Sequence, residues 1–207
     1  MIRKSIRELI WVPILHTQAD MGSVSDSLKS LYSQRLGKRE WERHVEVVAD
    51  MWRGIPDKIE QLDLDYGRLR LYQDGLPNCG REREIVRDLA EAGSQNHHLL
   101  IDLMERGAEL TGTESPDLLL KEYELVQETL ESLQSGDSDS LGEAHRNRRE
   151  ALLRERDRYI AKRIDETLHQ GETGLIFLGL LHSLHDDLPQ DIQLVSLDRV
   201  DRARKDR

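Results

Sequence analysis

Apolar positions along this chain follow two patterns. Two stretches are apolar at nearly every consecutive position. One is Glu8–Thr17 (ELIWVPILHT), a strand expected to end at His16. The other lies in Glu172–Asp187 (ETGLIFLGLLHSLHDD), apolar from Leu175 to Leu181 except for Gly179 and stopping at His182. Short apolar runs bounded by turn residues predict strands buried on both faces, as in parallel sheets covered by helices. Pro13 is awkward within a central strand and points to an edge, a bulge or an early end of the ladder. Arg68–Tyr72 alternates polar and apolar and predicts a strand ending in Gln73-Asp74-Gly75; Ala108–Thr111 and Ile192–Leu197 add two more.

Between these runs the apolar spacing changes to three and four. Arg39–Leu62 carries Trp41, Val45, Val48, Trp52, Ile55, Ile59 and Leu62 at helical spacing, with Gly54-Ile55-Pro56 expected to kink or divide it. Shorter helices are predicted from Ser23 or Ser25 to about Leu36, over Glu82–Ala92 and over Gln95–Arg106. Ser115-Pro116 opens another, since proline is tolerated in the first turn, and Leu119, Tyr123, Val126, Leu130 and Leu133 define its buried stripe. A loop, Ser135–Gly142, leads into a long arginine-rich helix from Glu143 to about Gln170. Strands separated by helices imply crossover connections. The expected fold is therefore α/β: a mainly parallel sheet of about five strands flanked by long helices, as one domain with a helical elaboration over residues 1–207.

Composition narrows the partners. The 207 residues are 37% hydrophobic and 34% charged, which, with clustered and periodic apolar positions, suits a globular domain with long solvated helices. A net charge of −10 argues against nucleic acid and an acidic membrane surface. No apolar run approaches the roughly 18 residues of a membrane span. The single cysteine, Cys79, excludes an internal disulfide framework and suits a reducing cytosol; in its Pro-Asn-Cys-Gly turn it is expected to be small and half-buried. The expectation is a cytoplasmic protein acting on a small molecule or peptide, with self-association left open.

Aligning the strand ends brings out the candidate chemistry. His16, Asp74, Glu114 and His182 follow strands, and Asp20, His185, Asp186 and Asp187 belong to adjoining loops. In a parallel sheet they share the rim beyond the carboxyl ends of the strands, where ligands bind. Imidazole with carboxylate suits a divalent metal such as Mn²⁺ or Zn²⁺, and equally suits metal-free acid–base work. His16, His182, Asp74 and Asp20 are the candidate ligands; His16, His182, Asp74, Glu114 and Arg156 are the candidate catalytic residues. Each alone reads as an ordinary loop residue, and the pairing of His16 with His182 after two buried strands favours function. His97 and His98 point about 100° apart on a helix and are poorly placed to share a metal. They read as a surface or partner-facing pair, and His44, His145 and His169 as helix-surface residues. Neither GxGxxG, nor the Walker pattern, nor GxSxG occurs.

In the arginine-rich helix, Leu153, Ile160, Ile164 and Leu168 form one stripe, with Arg149, Arg156 and Arg163 along its edge. An arginine there must snorkel, pair with a carboxylate or face a site. Arg156 is the best centred and the best candidate for an inward role facing an anionic group or a developing oxyanion, and Asp74, Glu114 or Asp20 is its expected carboxylate partner. Arg146, Arg154 and Arg158 point elsewhere and read as solvated.

These stretches resemble the TraB/Tiki-like superfamily, which also takes in erythromycin esterase and haem-uptake lipoproteins. That family has a helix of Arg-Asn-x-x-Met-Ala type, then a strand leading into Gly-x-x-His. Arg156-Asp157-Arg158-Tyr159-Ile160-Ala161 and Gly179-Leu180-Leu181-His182 stand in those places. Pro13-Ile14-Leu15-His16 takes the place of a first Gly-x-x-His motif without its glycine, and Asp74 stands where the family has glutamate. The likeness covers the first twenty residues and residues 145–185. It implies a hydrolase, either a metal-dependent peptidase or esterase-like, and leaves the substrate open. The alternative is a non-catalytic ligand-binding or regulatory protein on the same fold, which the departures at Pro13 and Asp74 suit.

Overall fold

In the computed structural model, which describes residues 6–15, 38–135 and 142–199, the apolar runs become strands of one sheet. The strands are β1 (Arg7–Ile14), β2 (Leu69–Gln73), β3 (Glu109–Thr111), β4 (Thr173–Gly179) and β5 (Ile192–Ser196). They lie in the order β3-β2-β4-β1-β5, and every pairing is parallel. Between them run α1 (Lys38–Glu60), α2 (Glu82–Glu91), α3 (Gln95–Glu105), α4 (Pro116–Ser135) and α5 (Glu143–Thr167). The fold is α/β, as the alternation of strand and helix requires.

Successive strand residues point to opposite faces, and the core divides accordingly. Ile10, Val12 and Ile14 of β1, Leu69 and Leu71 of β2, and Leu175 and Phe177 of β4 pack against α1, α2 and α3. Leu9, Tyr72, Ile176 and Leu178 face the other way, toward Ile160 and Ile164 of α5. The order of strands explains this split. From β1 through β2 to β3 the chain moves one way across the sheet, and from β3 through β4 to β5 it moves back. Crossovers of one fixed hand then place the early helices on one face and α5 on the other.

Several local expectations are corrected. Pro13 does not mark an edge, because β1 is central: its ladder to β5 ends at Trp11, while its pairing with β4 continues to Ile14. That is the early end of a ladder that a missing N–H tolerates. Pro56 does not divide α1, which runs unbroken. Proline interrupts helical hydrogen bonding, but Val48, Trp52, Ile55 and Ile59 are each no more than 5% exposed and bind the helix to the sheet. The stripe on α4 holds at Leu130, with Leu119, Val126 and Leu133 half-buried, but Tyr123 is exposed and Leu125 is buried instead; on α5, Leu152 is buried rather than Leu153.

His97 and His145 are buried rather than superficial. Each ring has a hydroxyl partner that makes burial tolerable, Ser94 for His97 Nδ1 (2.7 Å) and Thr129 for His145 Nε2 (3.2 Å). Cys79 is exposed, not half-buried. The helix expected to end near Leu36 lies outside the described residues. Among the described residues, no helix is long and apolar enough to cross a membrane.

Candidate functional site

β2 and β4 are neighbours whose outgoing chains leave toward opposite faces, β2 into α2 and β4 into a loop that packs Leu184 and Leu188 on the α5 side. Such a divergence opens a crevice at the carboxyl ends of a parallel sheet. Asp74 is the first residue beyond β2. Its N–H donates to the Phe177 carbonyl (2.8 Å), and its Oδ2 accepts from the Gly179 N–H (3.0 Å), so the carboxylate is fixed across the gap to β4. Gly75 then turns the chain at φ +75°, a conformation favourable only to glycine, and donates its N–H to Glu114 Oε1 (2.9 Å).

Glu114 stands three residues past β3 rather than at its end. Its approach depends on Gly112, where a Cβ would lie 2.5 Å from Asn78 Cα. His182 is likewise not at a strand end. β4 stops at Gly179, Leu180 and Leu181 project into solvent at 57% and 77% exposure, and a turn returns His182 to the rim with its N–H on the Gly179 carbonyl (3.2 Å).

Arg156 projects inward from α5 and ties the carboxylates together. Its Nε donates to Glu114 Oε2 (2.7 Å), and its Nη2 donates to Glu114 Oε1 (2.6 Å) and Asp74 Oδ1 (2.9 Å). Nη1 donates to Glu122 Oε1 (2.5 Å) on α4. One residue along α5, Asp157 Oδ1 meets His182 Nδ1 at 2.5 Å, and Asp157 Oδ2 accepts the Ser183 N–H (3.1 Å). His182 Nε2 then lies 3.5 Å from Asp74 Oδ1. Glu114 is fully buried, and the side chains of Asp74, Arg156, Asp157 and His182 are each at most 7% exposed.

Burial opposes the imidazolium of His182, but the hydrogen bonds and charges of Asp157 and Asp74 outweigh it and push its pKa up to about 9. Burial also works against the Arg156 guanidinium, and Glu114, Glu122 and Asp74 together reverse that and raise its pKa. Desolvation drives the Glu114 carboxyl upward, with Arg156 pulling against it.

Asp74, Glu114 and His182 bring donor atoms within 4.8 Å of one another, a set suited to a divalent transition metal. The fit is partial. Glu114 has both oxygens bonded to Arg156, and one of them also accepts from Gly75. Asp74 and His182 suit one ion better, and Asp157 behind the ring is the outer carboxylate that orients a ligating histidine. A proton on Nε2 and a metal ion would compete for the same lone pair.

The structure therefore gathers four residues anticipated from the sequence, Asp74, Glu114, Arg156 and His182. His16 and Asp20 lie outside the described residues. His185, Asp186 and Asp187 are exposed on the loop after β4. Asp157 and Glu122 were not anticipated. The signal for Asp157 was its place beside Arg156 in the Arg-Asn position of the resemblance; for Glu122 it was a carboxylate among the leucines of α4.

Beside His182 a groove of about 880 Å³ runs along the α5-side face of β4, β1 and β5, floored by Trp11, Leu178 and Leu194 and walled by Leu184 and Leu188. No protein-family model matches the chain, and neither a curated protein nor a solved structure matches it.

Proposed function

We propose that this chain is a hydrolase of the TraB/Tiki-like type, acting on an ester or peptide at the rim beyond β2 and β4. The observation that carries the reading is the placing of His182, held by Asp157 on Nδ1 and facing Asp74 with Nε2, among the residues lining an open groove. Asp157 fixes the orientation of the ring. His182 Nε2–H is placed to protonate a leaving group, and Asp74 Oδ1 to accept a proton from the attacking water. Arg156 holds the side chains of Asp74 and Glu114 side by side. Since all three of its nitrogens already donate to carboxylates, its role is to position the cluster rather than to bind a substrate anion. A divalent ion such as Mn²⁺ or Zn²⁺, when bound, would be held by Asp74 and His182 and would supply Lewis-acid activation of water.

The test is a turnover screen against esters, peptides and phosphoesters, run with chelator and with added Mn²⁺ or Zn²⁺. Turnover of an ester or peptide that falls about 10²–10⁴-fold in His182→Ala is the expected outcome. No turnover of any class under either condition would leave the binding or regulatory reading in its place. The groove beside His182 favours catalysis over that reading, for which a bonded cluster with no cleft beside it would be the mark.

A further inference from the structure

The groove has a chemical character that the polar cluster lacks. Its lining includes no lysine, arginine, aspartate or glutamate among the described residues, and its polar members are histidine, serine and glutamine. Its floor is the face of the sheet, where β4 and β1 use their backbone groups on neighbouring strands; among the described residues β5, at the sheet edge, is paired on its β1 side alone. Trp11 is held in place by its Nε1–H on the Leu178 carbonyl (3.1 Å), which presents the indole as a fixed wall. The volume of about 880 Å³ is in the range of small-molecule sites. At the His182 end, Asp74, Glu114, Asp157 and Glu122 outnumber Arg156 and His182, so an anionic group there is repelled.

From these features we infer that the groove holds the uncharged apolar chain of a small-molecule ester, with the carbonyl delivered to His182. The inference rests on the hydrolase reading for the reaction, but its binding half stands on the groove alone. An acyl or alkyl chain laid on Trp11, Leu178 and Leu194 gains affinity with each methylene buried, about three- to fourfold, until the groove is full. A headgroup carboxylate gains nothing, because the protonated His182 in the lining is already flanked by Asp157 and Asp74.

The test uses the full chain and a neutral apolar dye, N-phenyl-1-naphthylamine, whose fluorescence rises on entering an apolar site. Displacement by 1-alkanols from butanol to decanol is expected to strengthen about three- to fourfold per methylene, and decanol is expected to displace the dye at lower concentration than decanoate. Leu194→Glu and Leu188→Glu should each weaken dye binding at least tenfold with the melting transition retained. Hydrogen exchange on the unaltered protein supplies the readout should either variant fail to fold, with decanol protecting residues 183–194. Dye binding that ignores both substitutions in folded protein, displacement that is flat in chain length, a preference for decanoate, or protection elsewhere would each overturn the inference. Asp157→Asn separates the two readings, since Asp157 does not line the groove: intact dye binding with no turnover in any form of the protein sinks the hydrolase reading alone. Ester turnover without chain-length-dependent binding sinks the groove assignment alone.

Discussion

His182 keeps its proton into the alkaline range because two carboxylates flank it, and that ties the stability of the fold to pH. An unfolded histidine titrates near 6.5, whereas the folded one is raised to about 9. Between those values the folded state binds more protons than the unfolded state, so stability must fall as pH rises. In chelator-treated protein the contribution should be complete below about pH 6.5 and lost through about pH 9, roughly 3 kcal/mol in all. Urea denaturation from pH 6 to pH 9.5 measures it, and Asp157→Asn should flatten the slope; an unchanged slope in that variant would refute the assignment. Arg156 makes a second prediction. Arg156→Ala leaves Asp74 and Glu114 buried without their cation and should destabilise by about 3–5 kcal/mol. Arg156→Lys should recover only part, since one ammonium cannot reproduce a fork shared by three carboxylates. The inward turn of Arg156 was legible from sequence because the periodicity of its own helix decides it. Asp157 was not, because its partner is 25 residues away and reaches it only through a turn after a strand.

Elements were easier to detect than to end. Leu180 and Leu181 extend an apolar run, so hydrophobicity places them in β4, yet the strand stops at Gly179 and both are exposed. Pattern reports apolarity; it does not report where the neighbouring strands end and pairing with it. The exchange of Tyr123 for Leu125 on the buried side of α4 has a similar origin, since α4 packs on α5 and turns Glu122 toward Arg156, a preference invisible within α4 itself. The loop joining β3 to α4 offers the test at this scale. Gly112→Ala forces a methyl against the backbone of Asn78 and displaces Glu114 from its partners, which should cost about 1–3 kcal/mol. Thermal melting of Gly112→Ala against the unaltered protein measures it, and an unchanged melting temperature would show that the close approach does not matter.

At the scale of the whole molecule, the alternation of strand and helix yielded the fold class, and the period-2 faces of the strands yielded two buried sides. Strand order was out of reach, because it depends on which strands meet after long crossovers and no local pattern records that. The order found has a consequence for the chain as it is made. β1 is the first described strand to be synthesised, and its two neighbours, β4 and β5, are the last. At ordinary rates of translation its partners follow on the order of 10 s later. Until then Leu9–Ile14 is a bare apolar strand on a nascent chain, the kind of segment through which polypeptides stick to one another. Pro13, which the finished sheet accommodates where the β5 ladder has already ended, removes a donor from that waiting strand. That is the placement expected of a gatekeeper against strand-to-strand association, at an edge that β4 and β5 cover in the finished sheet.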